Sequence, residues 1–246
     1  MELNKARFYS IIYSTTFDVH ERYNIGTYKE KKLHIMLKKF FEPCEDWHEV
    51  PTNGFIADIR RDGVITEIET NGFSGLGDKL DAYLPEYRVN LVYPLAAKKY
   101  VSWIDPETKE ISPRKASPKK QGAYDLLFEL VRILPYVRSE NLVVLGPLLE
   151  IDEYKMRDGW GNGGKRGAHR FERMPTDIYG MVCLATDDDY RHYIPENCAE
   201  KFTVRDFANG AKIDEDTARA VVKVMEARGV IEKLGKKGRS FVYSRV

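Results

Sequence analysis

No uninterrupted apolar stretch in these 246 residues approaches the roughly 18–20 that a membrane-spanning helix needs. The opening MELNKARFYSIIYSTTF is broken by Ser and Thr where a secretory leader would place its apolar segment. A soluble, unprocessed chain is expected. Cysteine is scarce. Cys44, Cys183 and Cys198 are odd in number and show no CxxC or Cys/His spacing, which fits neither a disulfide framework nor a zinc site. A reducing cytoplasm is the expected setting. Neither sign of charge is in excess, with 39 basic side chains against 38 acidic. What is present is enough apolar (43%) and aromatic (12%) content for one sizeable core or two modest ones, which excludes disorder for most of the chain.

The even balance conceals a gradient. Residues 1–94 carry 12 basic and 15 acidic groups, 95–199 carry 16 of each, and 200–246 carry 11 and 7. A basic end is a mild pointer to a polyanionic partner.

Hydrophobic spacing gives an α/β pattern. Leu33, Met36, Leu37, Phe40 and Phe41 form a helical stripe over Tyr28–Phe41, with Thr27 as N-cap, Glu30 completing a capping box and Pro43 beyond the end. Two short β-branched runs flank Asp62-Gly63, a strong hairpin signal. Phe73, Leu76, Leu80 and Leu84 space out a second helix, and VNLVYPL reads as a buried strand closed by Pro94. A strand over Tyr100–Ile104, a basic loop PRKASPKKQG, a helix over about Ala123–Val137 and the apolar runs LVVLGPLLEI and IYGMVCLA follow. The expected division is 1–186 and 187–246.

With Asp62-Gly63 as a two-residue loop, facing residues have numbers that sum to 125. Asp58 then lies opposite Glu67, and Glu69 shares their face, while Phe55, Ala57, Ile59, Val64 and Ile68 share the other. Opposed like charges about 4.5–5.5 Å apart at Cβ repel. A divalent cation is the simplest compensation, since Mg²⁺ takes one or two carboxylates and keeps several waters. Screening by Arg60, Arg61 and water is the other. Glu30 falls on the inward stripe of the first helix, so that both a capping role and a role toward the carboxylates are open to it.

A Glu-bearing helix, Asp58 in one strand, Glu67-Ile68-Glu69 in the next, then a helix and a buried strand: this order resembles the PD-(D/E)XK nuclease superfamily over about residues 28–95. More closely, YKEKKLHIMLKKFF, GFIADI, ITEIETNGFSGLGDKLDAYL, VNLVYPL and RKASPKK are similar to an uncharacterised prokaryotic family with that core and a C-terminal helix-turn-helix. The resemblance implies a restriction-endonuclease-like mixed sheet flanked by helices. It also implies a metal-dependent nuclease acting on DNA, with Mg²⁺ or Mn²⁺ held by Asp58, Glu67 and the main-chain carbonyl of Ile68. Glu30 matches the helix-borne acid that meets the metal through water. Glu69 stands where the superfamily usually has Lys, and Lys79 is the candidate to supply the missing amine. A nuclease-like DNA-binding or regulatory protein without catalysis is the alternative.

From Asp187 the chain gives three short helices, at Asp187, at Thr203–Asn209 before Gly210, and at Asp214–Arg228 before Gly229, then VIEKL, GKKGR and SFVYS. This resembles a winged helix-turn-helix. The resemblance places Thr217, Arg219, Lys223, Lys236, Lys237 and Arg239 toward nucleic acid. Arg114, Lys115, Lys119 and Lys120 of the basic loop are further substrate-contact candidates. GWGNGGK fits G-x₄-G-K, but Arg166 stands where a P-loop needs Ser or Thr. The expected partner is DNA, with RNA and a homodimer left open and no membrane.

Overall fold

The structure is a computed structural model that describes residues 4–15, 31–157 and 169–246. By strand pairing it is mixed α/β, with a large mixed sheet flanked by helices and a small antiparallel sheet. Among the described residues no helix is long and apolar enough to cross a membrane. Cys44, Cys183 and Cys198 are free thiols. The chain divides into two compact units.

The first unit comprises Met1–His48, Pro94–Gln121 and Pro147–Met181. Helix α1 (Lys5–Ser14), capped by Asn4, meets α2 (Lys32–Phe41) where the Phe8 ring stands edge-on to Phe40 at 5.4 Å. The expected stripe is buried at Leu33, Met36, Leu37 and Phe40. The described helix begins at Lys32, with Lys31 extended (φ −66, ψ 140); Tyr28 lies outside the described residues. The Thr27–Glu30 capping box lies outside the described residues.

Strand β5 (Leu95–Ile104) of this unit pairs in parallel with β7 (Leu142–Met156) from Leu95↔Leu148 to Ile104↔Met156, and antiparallel with β6 (Lys115–Ala116). β8 (His169–Leu184) also pairs with β7. Both β7 and β8 are longer than their apolar runs, because polar residues continue them: fifteen and sixteen residues.

The second unit comprises Glu49–Tyr93, Gly122–Gly146 and Val182–Val246. Its sheet runs from β1 (His48–Thr52) through β2 (Phe55–Arg61) and β3 (Val64–Ile68) to β4 (Arg88–Val92) and the start of β7. The β2–β3 hairpin has the expected register, Ile59↔Thr66, Arg60↔Ile65 and Arg61↔Val64. Asp62 (φ 50) and Gly63 (φ 78) both take the positive φ that a type I′ turn demands. β3 and β4 are parallel, Val64↔Arg88 to Ile68↔Val92, and β4 is parallel to β7 in turn. β3 is therefore an inner strand, and Ile65, Thr66, Glu67 and Ile68 are all buried.

Two helices are shorter than their stripes. The second is α3 (Gly77–Tyr83), with Phe73, Leu76 and Leu84 buried outside it. The third is α4 (Ala123–Glu129) followed by a 3₁₀ segment, Leu130–Tyr136, that breaks at Ile133 (φ −122, ψ 29). Pro135, lacking an N–H donor and crowding the preceding turn, is the physical cause.

The rest of this unit is α5 (Asp187–Arg191), β9 (Lys201–Thr203), α6 (Val204–Ala211), α7 (Glu215–Arg228), β10 (Ile231–Lys237) and β11 (Ser240–Arg245). The three strands form the small sheet in the order β10-β11-β9. Thr186, Thr203 and Asp214 cap the three helices with their side chains, and Gly229 (φ 89) ends α7. Arg228, only 9% exposed at its side chain, donates to the Val137 and Ala185 carbonyls at 2.8 and 3.3 Å and meets Asp187 at 2.7 Å. Arg138 answers from the other side, donating to the Ala227 carbonyl at 2.7 Å. These bonds clamp α7 to the 3₁₀ segment and to α5.

Gly210 lies inside α6 and does not follow it; Lys212, at φ 57, is the left-handed cap. A Cβ on Gly210 would lie 2.9 Å from Pro195 Cβ and 2.7 Å from Asn197 Oδ1, so close approach explains the glycine. Helix propensity alone would favour Ala there by about 1 kcal/mol. The rigid proline outweighs it, and Gly210→Ala is expected to lose about 1–3 kcal/mol in urea unfolding. A stability gain would show that the segment around Pro195 yields.

Candidate functional site

The second unit brings Asp58, Glu67 and Lys79 together. Backbone pairing of β2 with β3 runs from Arg61↔Val64 to Ile59↔Thr66. One step on, the Ile68 amide is met by a side chain: it donates to Asp58 Oδ2 at 2.7 Å. The Asp58 amide in turn donates to Glu67 Oε1 at 3.4 Å. The two carboxylates thus stand at the mouth of an opening hairpin, where they satisfy backbone donors that would otherwise lack partners. Lys79 reaches them from α3, donating to Glu67 Oε2 at 2.6 Å and to the Ile56 carbonyl at 3.2 Å.

Glu67 is 1% exposed. The sequence pattern places it on an acidic face opposite the core; the inner position of β3 buries it instead. Burial, and then the Asp58 charge, push its pKa from 4.5 up to about 7, against the pull of Lys79. Burial works against the charge of Lys79, but its bond to Glu67 and the charges of Glu67, Asp58 and Glu69 outweigh this and hold its pKa above the ordinary value. The compensating cation is therefore Lys79. Arg60 lies over the Tyr87 ring at 5.1 Å, and Arg61 meets Asp62 at 3.2 Å.

Glu69 follows β3, its amide donating to the Val92 carbonyl at 2.9 Å. Glu30, Lys165 and Arg166 lie outside the described residues. Tyr83 is a neighbour that the spacing of apolar residues conceals. It lies four residues after Lys79 on α3, is 0% exposed, and meets the Phe55 ring edge-on at 6.1 Å. Burial, then Glu67 and Asp58, push its hydroxyl up to about 12. The Lys-x-x-x-Tyr spacing, one helical turn, was the available signal.

Among the described residues no group of three or more His, Cys, Asp or Glu is arranged to hold a metal ion. The chemistry of the two adjacent carboxylates nevertheless fits a hard divalent cation, since they supply oxygen only.

The candidates for nucleic-acid contact differ in how they are held. Arg114 bridges Glu150 and Asp152, both at 3.0 Å, and lies 3.6 Å from the Tyr100 ring centre. Lys115, Lys119 and Lys120 are exposed. Thr217 Oγ1 donates to Asp214 at 2.7 Å, and Arg219 meets Asp216 at 2.6 Å. Lys223, Lys236, Lys237 and Arg239 are exposed, with Lys236 over the Phe241 ring at 5.0 Å. In the first unit, buried Glu153 meets Lys99, Lys155 and Arg170 within 3.3–3.6 Å. Its burial alone would raise its pKa; the three cations outweigh this and hold it low.

The sequence model of the family described as "Domain of unknown function (DUF8091)" matches residues 31–185, more than half of the chain. An "Uncharacterized protein" of Treponema pallidum (strain Nichols) is 25% identical over 223 residues, covering 90% of this chain and 87% of that protein. No solved structure shows a significant match.

A carboxyl whose pKa is higher folded than unfolded holds its proton more tightly in the folded state, so its contribution is full below about 4.5 and is lost as pH rises through about 7. The shift is worth about 3 kcal/mol. Urea unfolding in chelator at pH 5–8 is expected to show the wild type losing stability relative to Glu67→Gln as pH rises. Parallel curves for the two proteins would remove the buried charge from the account.

Proposed function

The chain belongs to the family described as "Domain of unknown function (DUF8091)", and for it we propose a metal-dependent nuclease that hydrolyses DNA phosphodiester bonds, its C-terminal segment acting as a winged helix that grips the nucleic acid. One observation carries the reading: Asp58, Glu67 and Lys79 converge where the β2–β3 ladder opens. The fold and the PD-(D/E)XK resemblance supply the chemistry that such a set serves.

Asp58, Glu67 and the Ile68 carbonyl would hold Mg²⁺ or Mn²⁺. Such an ion, when bound, lowers the pKa of water, polarises the phosphoryl group and steadies the leaving oxygen. Glu69 accepts the proton of the attacking water. Lys79 orients that water and balances the charge gathering on the phosphate, the task usually given to the lysine that Glu69 replaces. Hydrolysis joins the water oxygen to phosphorus, breaks one phosphodiester bond and returns a proton to the leaving alkoxide.

Support for the winged helix comes from the β9-α6-α7-β10-β11 order and the three-stranded antiparallel sheet. Among its exposed cations are Lys223 on α7 and Lys236, Lys237 and Arg239 at the β10–β11 turn. Arg114, Lys115, Lys119 and Lys120 supply a second basic surface. A binding protein without catalysis is the other reading, favoured by Glu69 and by the ammonium already seated on Glu67.

Supercoiled, linear, single-stranded and branched DNA, with RNA in parallel, should be incubated with the protein and Mg²⁺ or Mn²⁺. Cleavage is expected, with a loss of 100-fold or more, about 3 kcal/mol, in both Asp58→Ala and Glu67→Ala. Cutting that survives both substitutions overturns the assignment, and binding without cutting favours the second reading. Binding should also weaken steeply with log salt. Replacing Lys236, Lys237 and Arg239 by Ala should reduce that slope by about 2–3. An unchanged slope would take the β10–β11 turn off the phosphates.

A further inference from the structure

Tyr83 is fully buried, and its hydroxyl finds no hydrogen-bond partner among the described residues. A buried hydroxyl in that state costs on the order of 1–3 kcal/mol by desolvation, and buried polar groups are rarely left so. Its surroundings are not neutral. Tyr83 occupies the same face of α3 as Lys79, one turn on, and Lys79 is bonded to Glu67. Asp58 and Glu67 both lie close enough to oppose ionisation of the phenol. The hydroxyl is therefore a buried donor without a partner among the described residues, on the helix face that carries Lys79 and within the electrostatic reach of two carboxylates.

We propose that Tyr83 is a positioning residue of the carboxylate site: its hydroxyl donates to a water molecule that in turn donates to Asp58 and Glu67. Water suits this place because it can accept from the phenol and donate to carboxylates at the same time, whereas Lys79 can only donate. A water bound in this way satisfies a buried donor that no side chain meets, and such bridging waters are structural parts of protein interiors. The assignment rests on reading Asp58 and Glu67 as the working pair. On that reading Tyr83 fixes the orientation of solvent beside the carboxylates before the substrate arrives.

The experiment is a double-mutant cycle with Tyr83→Phe and Asp58→Asn, read by thermal unfolding at pH 8 with and without Mg²⁺, and by DNA cleavage. Phe keeps the ring and its packing on Phe55. Tyr83→Phe is expected to lower Tm by about 2–4 °C in the wild-type background, and by clearly less in the Asp58→Asn background. A rise in Tm, or equal shifts in both backgrounds, overturns the proposal, because the hydroxyl would then be an uncompensated donor or a matter of packing alone. In cleavage, kcat is expected to fall about tenfold with KM for DNA unchanged; an unchanged kcat in a cleaving protein also overturns it. If the wild type cuts nothing, the nuclease reading fails while the Tm coupling still decides the role of Tyr83.

Discussion

A carboxylate on an inner strand, beside a second carboxylate, is the constraint around which the second unit is arranged. Taking one such ion out of water costs on the order of several kcal/mol, and Asp58 adds to that cost at Glu67. Three features answer it: the Ile68 amide on Asp58, the Asp58 amide on Glu67, and the Lys79 ammonium on Glu67. The first two require β2 and β3 to part where a regular ladder would continue. The third requires α3 to begin at Gly77, so that Lys79 faces the hairpin within the first helical turn. A hydrophobic residue at position 67 would demand none of this, so the arrangement is one that stability alone does not call for.

The hairpin is the part of this site that was legible in advance. Asp62-Gly63 sets the register through the positive φ of both residues, and the register alone puts Asp58 across from Glu67. The burial of Glu67 was not legible in the same way, because alternation assumes that one face of the hairpin is solvated, whereas β3 is an inner strand paired in parallel with β4, and parallel strands are commonly buried on both faces. Apolar spacing located α3 and α4 but overran their ends, and it did not locate α1: Phe73 and Leu84 are buried without being helical, and with Pro135 the stripe beyond α4 becomes a 3₁₀ segment that breaks at Ile133. Tyr83 escaped notice because a periodic apolar pattern counts the ring and ignores its hydroxyl.

Charge shows the same difference between composition and arrangement. The last 47 residues carry 11 basic groups against 7 acidic, yet Arg205 and Arg219 are each paired with an acid of the same segment and Arg228 with Asp187 before it. The free excess is concentrated in lysines and in Arg239 near the β10–β11 turn. A point charge on a flexible stem tracks a phosphate backbone without selecting a base, which suits non-specific attachment better than recognition of one sequence.

The Arg228 and Arg138 bonds that fasten α7 give the proposed activity a geometric consequence. They belong to the same unit as the carboxylate pair, so the β10–β11 turn and the carboxylates share one frame, with no tether of variable length between them. A polynucleotide touching both would have to follow a path of set length. Cuts would then fall at a characteristic offset from the gripped stretch, as marks fall along a ruler.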